Sequence, residues 1–255
     1  MLKRMVIALA LVLLFAPPAR ADFAAGLKAY NARDWRGAII NLRPLADQGD
    51  ARALLIIGNM YRNGYGVLQN RAEAMKLYKR AAGMNNTQAM NAVGAMYVDG
   101  QGAQPDIKTA RAWFRRSALL GDQTGAVFYG IILFQGNSNP DNPFQPDFAK
   151  AYKWYKICAA EKQNPGYTKV CAHVADALAH RYLKKEQADK IDREVAAWKP
   201  LAAKDLGPAP SDQAPKTEQA PKLKEIPPRI IINKLALPTQ KQPEKNAPRP
   251  AGLLP

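Results

Sequence analysis

The chain repeats itself every 36 residues. Gly58, Gly94 and Gly130 are 36 apart, as are Gly64, Gly100 and Gly136; Gly66 pairs with Gly102, and Tyr61 with Tyr97. Ala38, Ala74 and Ala110 keep the same step, as do Ala46, Ala82 and Ala118, and Gly49, Asn85 and Gly121. One register serves all of these positions. After a five-residue insertion it resumes, Trp113, Phe114 and Ala118 recurring as Trp154, Tyr155 and Ala159. A period of this length marks an array whose units cannot bury their apolar faces alone, so that neighbours must stack to make a core.

Within a helix-turn-helix unit each recurring position has a physical role. The small residues Gly58, Gly94 and Gly130, with Ala74, Ala82, Ala110 and Ala118, let helix backbones approach closely, and Tyr61, Tyr78, Trp113, Phe114, Trp154 and Tyr155 fill the space between layers. Gly64-Tyr65-Gly66 and Gly100-Gln101-Gly102 supply turns that need positive φ. Gly49, Asn85 and Gly121 close the second helix, glycine and asparagine being the residues that best accept a left-handed cap. The pattern predicts inner helices near 23–32, 51–62, 87–98, 124–135 and 167–182, outer helices near 35–48, 71–83, 107–120 and 147–162, and a last helix over 185–203. The expected fold class is all-α: an α-solenoid of stacked helix-turn-helix repeats.

The residues Ala53 to Gly66 with Ala74 and Tyr78, and Ala89 to Gly102 with Ala110 and Phe114, follow the pattern Ala-x-x-x-x-Gly-x-x-Tyr-x-x-Gly-x-Gly, then Ala-x-x-x-Tyr/Phe and a closing Gly or Asn. This resembles the Sel1-like repeat, a relative of the tetratricopeptide repeat. The third copy departs, with Gly125 for the alanine, Leu133 for the tyrosine and a longer loop from Asn137 to Phe148. The first helix pair, with its short Asn31-Ala32-Arg33-Asp34-Trp35 turn, is closer to a tetratricopeptide unit. The resemblance covers about 22–203. It implies a scaffold or regulator, often of the bacterial envelope, with a protein partner on the inner face.

The ends read differently from the repeats. Lys3 and Arg4 precede an apolar run from Met5 to Phe15, followed by Pro17-Pro18 and Ala19-Arg20-Ala21, which is the form of a cleavable secretory signal over 1–21. The run is too short for a bilayer span of about twenty residues. The expectation is therefore a periplasmic or secreted protein with no stable membrane span after cleavage. Removing Lys3, Arg4 and Arg20 takes the net charge from +16 to +13. Such basicity favours polyanions, but export removes nucleic acid and leaves anionic envelope material such as lipid head groups or wall polymer. Residues 207–255 hold 11 of the chain's 20 prolines and eight Lys or Arg against four acids, the composition of a disordered tail. Within it, Ile230, Ile231, Ile232, Leu235 and Leu237 form an apolar motif suited to adding a strand to a partner or docking into a groove.

Candidate sites are few. Cys158 and Cys171 are the only cysteines, and an oxidising compartment permits a disulfide between the fourth outer helix and the next inner one; two buried free thiols are the alternative. His173, Asp176 and His180 share one face of a predicted helix, but no fourth metal ligand can be named. No phosphate loop, nucleophile elbow or His-Glu-x-x-His pattern occurs, and nothing calls for a cofactor. An envelope hydrolase finds no catalytic set. Partner contacts are expected instead at non-repeating inner-helix positions: Arg52, Asn59, Arg62, Gln88, Asn91 and Tyr129.

Overall fold

The computed structural model describes residues 21–136 and 144–210. Residues 1–20 of the candidate signal over 1–21 and the tail motif at Ile230 to Leu237 lie outside the described residues. The described part, within the unit Met1–Asp212, is all-helical among the described residues. Its helices are α1 (Phe23–Asn31), α2 (Trp35–Asp47), α3 (Ala51–Asn63), α4 (Arg71–Gly83), α5 (Thr87–Asp99), α6 (Ile107–Leu119), α7 (Gln123–Gln135), α8 (Phe148–Ala160), α9 (Pro165–Tyr182) and α10 (Lys185–Ala196). Consecutive helices from α1 to α9 pack against one another, α10 packs on α8, and the inner helices α5, α7 and α9 also touch in succession. That is a solenoid of helix pairs.

The recurring residues do what stacking requires. A Cβ built on Gly58 would lie 2.6 Å from the Tyr78 ring, on Gly94 2.8 Å from Phe114, and on Gly130 3.1 Å from Tyr155. Each inner helix thus leaves room for the aromatic ring of the outer helix that follows it. The rings themselves are buried, Tyr78 and Phe114 completely, and burying a side chain of this size contributes on the order of 2 kcal/mol. The third repeat's exception has the same cause: a Cβ on Gly125 would sit 2.7 Å from the Ala118 backbone nitrogen, closer than alanine tolerates. Gly49, Asn85 and Gly121 take φ of 91°, 63° and 84°, and Gly64 and Gly100 end α3 and α5 in left-handed conformation.

Helix starts follow a second periodic series. Asp34, Asn70 and Asp106 accept the first free backbone N–H groups of α2, α4 and α6; Asp50, Asn86 and Asp122 do the same for α3, α5 and α7. Both series step by 36. Asp147 and Asn164 continue them for α8 and α9, and Asp22 caps α1, so each of α1 to α9 begins on an Asp or Asn cap worth about 1 kcal/mol. The Asn164 cap explains why α9 opens at Pro165, two residues before the predicted start: proline is suited to a helix's first position, where no N–H is needed.

The C-terminal end differs from expectation. The last helix stops at Ala196, not 203. Pro200 disfavours helical conformation at the residue before it, and Trp198 turns instead to the edge of the Trp154 ring, 6.1 Å between centroids. The chain then runs back across the outer helices. Leu201 donates its N–H to the Leu119 carbonyl (2.7 Å), Pro200 packs at Gly121, a short 3-10 turn spans Ala203–Asp205, and Leu206 is buried. Gly207 to Pro210, assigned to the tail by composition, lie against α6.

Candidate functional site

The six inner-helix candidates do not form one surface. Arg52 folds back on its own helix cap, its NH2 2.7 Å from Asp50 Oδ2, with its guanidinium 4.1 Å above the Phe23 ring. That bond from Arg52 holds the Asp50 carboxyl below its ordinary range. Asn59 accepts from the Tyr78 hydroxyl (2.6 Å), a phenol that burial pushes far above its ordinary pKa and so keeps neutral. These two residues tie α3 to α4. Gln88 is exposed on α5.

Asn91 and Tyr129 are buried, a correction to their assignment as partner contacts. Asn91 donates to Asp122 Oδ1 (2.7 Å), the cap of α7, while Tyr129 packs edge-on to Trp154. The reason is periodic. Tyr129 stands at the repeat position of Ile57 and Val93, both core residues, so it is a core position that happens to carry a hydroxyl.

Charge separates the two sides of the stack. Among the inner helices, α1 carries only Lys28, α5 only Asp99 and α7 no charged residue. Among the outer ones, α6 carries Lys108, Arg111, Arg115 and Arg116 with no acid, α8 carries Lys150, Lys153 and Lys156 with no acid, and α4 carries Arg71, Lys76, Lys79 and Arg80 against Glu73. One cation recurs in every outer helix at the same register: Arg43, Lys79, Arg115 and Lys156. The first two also meet the tyrosine of the next inner helix, Arg43 donating to the Tyr61 hydroxyl (3.3 Å) and Lys79 standing 5.2 Å from the Tyr97 ring centre. The basicity is thus concentrated on the outer helices.

Between α6 and the returning C-terminal segment lies a groove of about 700 Å³. Lys108, Arg111, Arg115 and Arg116 line one wall, Leu201 and Leu206 the other. Arg111 lies 3.9 Å over the Phe144 ring and 5.9 Å from that of Tyr129, which holds its guanidinium in place. Arg116 NH1 donates to the carbonyls of Leu206 (3.1 Å), Gly207 (2.7 Å) and Pro208 (3.1 Å), and its NH2 to Asn85 Oδ1 (3.3 Å). Asp205 is the one carboxylate of the lining. Sequence reading missed this site because its walls are some ninety residues apart in the chain.

The closing end of the stack is cross-linked. Cys158 of α8 and Cys171 of α9, both fully buried, are bonded with their Cα atoms 5.9 Å apart. Beside them the buried Gln123 side chain donates to the Cys158 and Glu161 carbonyls (2.9 and 3.1 Å) and accepts from the Asn164 N–H (2.7 Å). A buried amide with its bonds made fixes one relative position of α7, α8 and α9. His173, Asp176 and His180 are exposed on α9, and among the described residues no cluster of His, Cys, Asp or Glu is arranged to hold a metal. No described helix is long and apolar enough to cross a membrane.

Comparison with known proteins agrees with this geometry. The Sel1 repeat family model matches residues 51–86, 87–122 and 125–162. In sequence the chain is 33% identical over 72 residues to the ERAD-associated E3 ubiquitin-protein ligase component HRD3A of Arabidopsis thaliana, a stretch covering 28% of this chain and 11% of that protein. In structure it is similar to a Sel1 repeat protein from Oxalobacter formigenes (TM-score 0.50, 24% identity, 69% of this chain and 84% of that one). It is also similar to c5321, a protective antigen of uropathogenic Escherichia coli strains with the same repeat fold (TM-score 0.52, 24% identity, 68% and 37%). Three Sel1 repeats, each an inner and an outer helix, make up the middle of this chain's α-solenoid.

Proposed function

We propose that this chain is a non-enzymatic scaffold or regulator of the bacterial cell envelope that holds a protein partner on its stacked helices. Sel1 repeats are in general protein–protein interaction modules. The observation that carries the reading is the use of the recurring aromatics and small residues in stacking, which leaves the non-recurring exposed side chains and the groove along α6 for recognition. The secretory form of residues 1–21 supports export, and the cross-link between Cys158 and Cys171 suits an oxidising compartment.

Photo-crosslinking tests this reading. A photoreactive residue at Gln88, exposed on an inner helix, or at Arg115, exposed on an outer one, is expected to capture one protein in the native host, while the same residue at Lys190 on α10 captures none. Equal, diffuse labelling from all three positions would contradict it. A second reading, binding of anionic envelope material, is favoured by the cation recurring at Arg43, Lys79, Arg115 and Lys156, and it predicts retention that disappears at high salt.

A further inference from the structure

We infer that the groove between α6 and the returning C-terminal segment is a binding site for a short, extended, acidic segment of a partner protein. The inference rests on the reading that the chain holds a protein, and adds where and by what chemistry. Lys108, Arg111 and Arg115 follow i, i+3, i+7 spacing, so they share one stripe of α6. At about 1.5 Å per residue they span roughly 10 Å. An extended chain advances about 3.3 Å per residue and points alternate side chains to the same side, so acids at every second position stand about 7 Å apart, a spacing the long, flexible Lys and Arg side chains of this stripe can reach.

The groove already handles peptide backbone. Arg116 gathers the carbonyls of three consecutive residues, Leu206, Gly207 and Pro208, and is thereby occupied. Arg111 is oriented by the aromatic ring beneath it but makes its contact through its face, leaving the guanidinium edge to fork onto a carboxylate. Lys108 and Arg115 are exposed. Opposite them, Leu201 and Leu206 offer apolar contact to side chains pointing away from the cations. Three cations against the single carboxylate of Asp205, with two leucines opposite, leave a positive recess that fits alternating acidic and apolar residues. Lys108 and Arg115 are exposed while Arg111 is half-buried under Phe144, so a flat bilayer would meet two of the three cations and an inserted peptide all three.

The test is fluorescence anisotropy with the labelled, end-capped peptide Glu-Leu-Glu-Leu-Glu and its Gln-Leu-Gln-Leu-Gln counterpart, on the full chain. The acidic peptide is expected to bind and the neutral one to bind at least about tenfold more weakly. Lys108→Gln with Arg115→Gln, both surface changes, is expected to weaken binding about tenfold or more, and Arg111→Gln to do so again. The charge-matched pair Lys28→Gln with Lys169→Gln on inner helices should leave it within about twofold. Equal loss in both pairs, or equal binding of the neutral peptide, overturns the site. Phosphatidylglycerol vesicles that bind and then lose binding in the groove pair assign the cations to a membrane and overturn it too. If the groove pair still crosslinks its protein partner at Gln88 while no peptide binds, the scaffold reading stands and only the groove fails.

Discussion

At the residue scale, the fold depends on where side chains are missing. Gly94 has no room for a methyl group, since the Phe114 ring it would strike at 2.8 Å is fully buried and packed against Phe128. Gly94→Ala is expected to destabilise the stack by about 1–3 kcal/mol, the usual cost of forcing an extra group into a close-packed core. Urea denaturation measures it, and Gly83→Ala, where no atom lies within 4 Å, serves as the contrast with no such loss. These positions were legible because the 36-residue step brings three glycines together at one point of the unit. Asn91 and Tyr129 were placed on the surface because their identity does not recur from repeat to repeat, but a position can vary and still be core, as the buried Ile57 and Val93 at Tyr129's repeat position show.

At the element scale, the caps and turns punctuate each helix and the cross-link closes the last pair. The turns at Gly64 and Gly100 and the left-handed positions at Gly49, Asn85 and Gly121 fall where the repeat put them. The Asp and Asn caps were in the same register and readable by the same rule, yet they sit outside the apolar pattern that draws attention first. Reducing the bond between Cys158 and Cys171, which are 13 residues apart, or replacing both with alanine, is expected to lower stability by about 3 kcal/mol. Thermal melting with and without reductant should show it. An intact mass of the non-reduced protein that lacks the two-hydrogen deficit would exclude the bond. The seating of α10 and the path after it were not legible, since they have no repeat partner: the buried Ile191 and the Tyr152 hydroxyl bonded to Asp192 (2.9 Å) hold α10, and Trp198 on Trp154 turns the chain beyond it. The ion pairs of Lys153 with Glu194 and Lys156 with Asp192 add little at this exposure, about 0–1 kcal/mol each.

At the scale of the whole molecule, the architecture follows from the period, and the recognition surface does not. Stacking consumes the recurring residues, so repetition tells how the helices pack and says nothing about what they hold. Net charge gave only a sign; its concentration on α4, α6 and α8 acquires meaning once those helices are known to share one side. The groove needed the C-terminal return, which brings Leu201 and Leu206 opposite a basic helix far behind them in the chain. The central claim, that the chain works by holding a protein, is tested most directly by affinity capture from the native host at about 0.1 M and about 1 M salt, with the full chain and with one ending at Pro210. One discrete protein retained by both forms at about 0.1 M salt is the expected result, its retention weakening as the salt rises to the extent that the cations of the groove contribute. Retention of nothing specific, or of lipid or wall polymer in place of a protein, would contradict the claim.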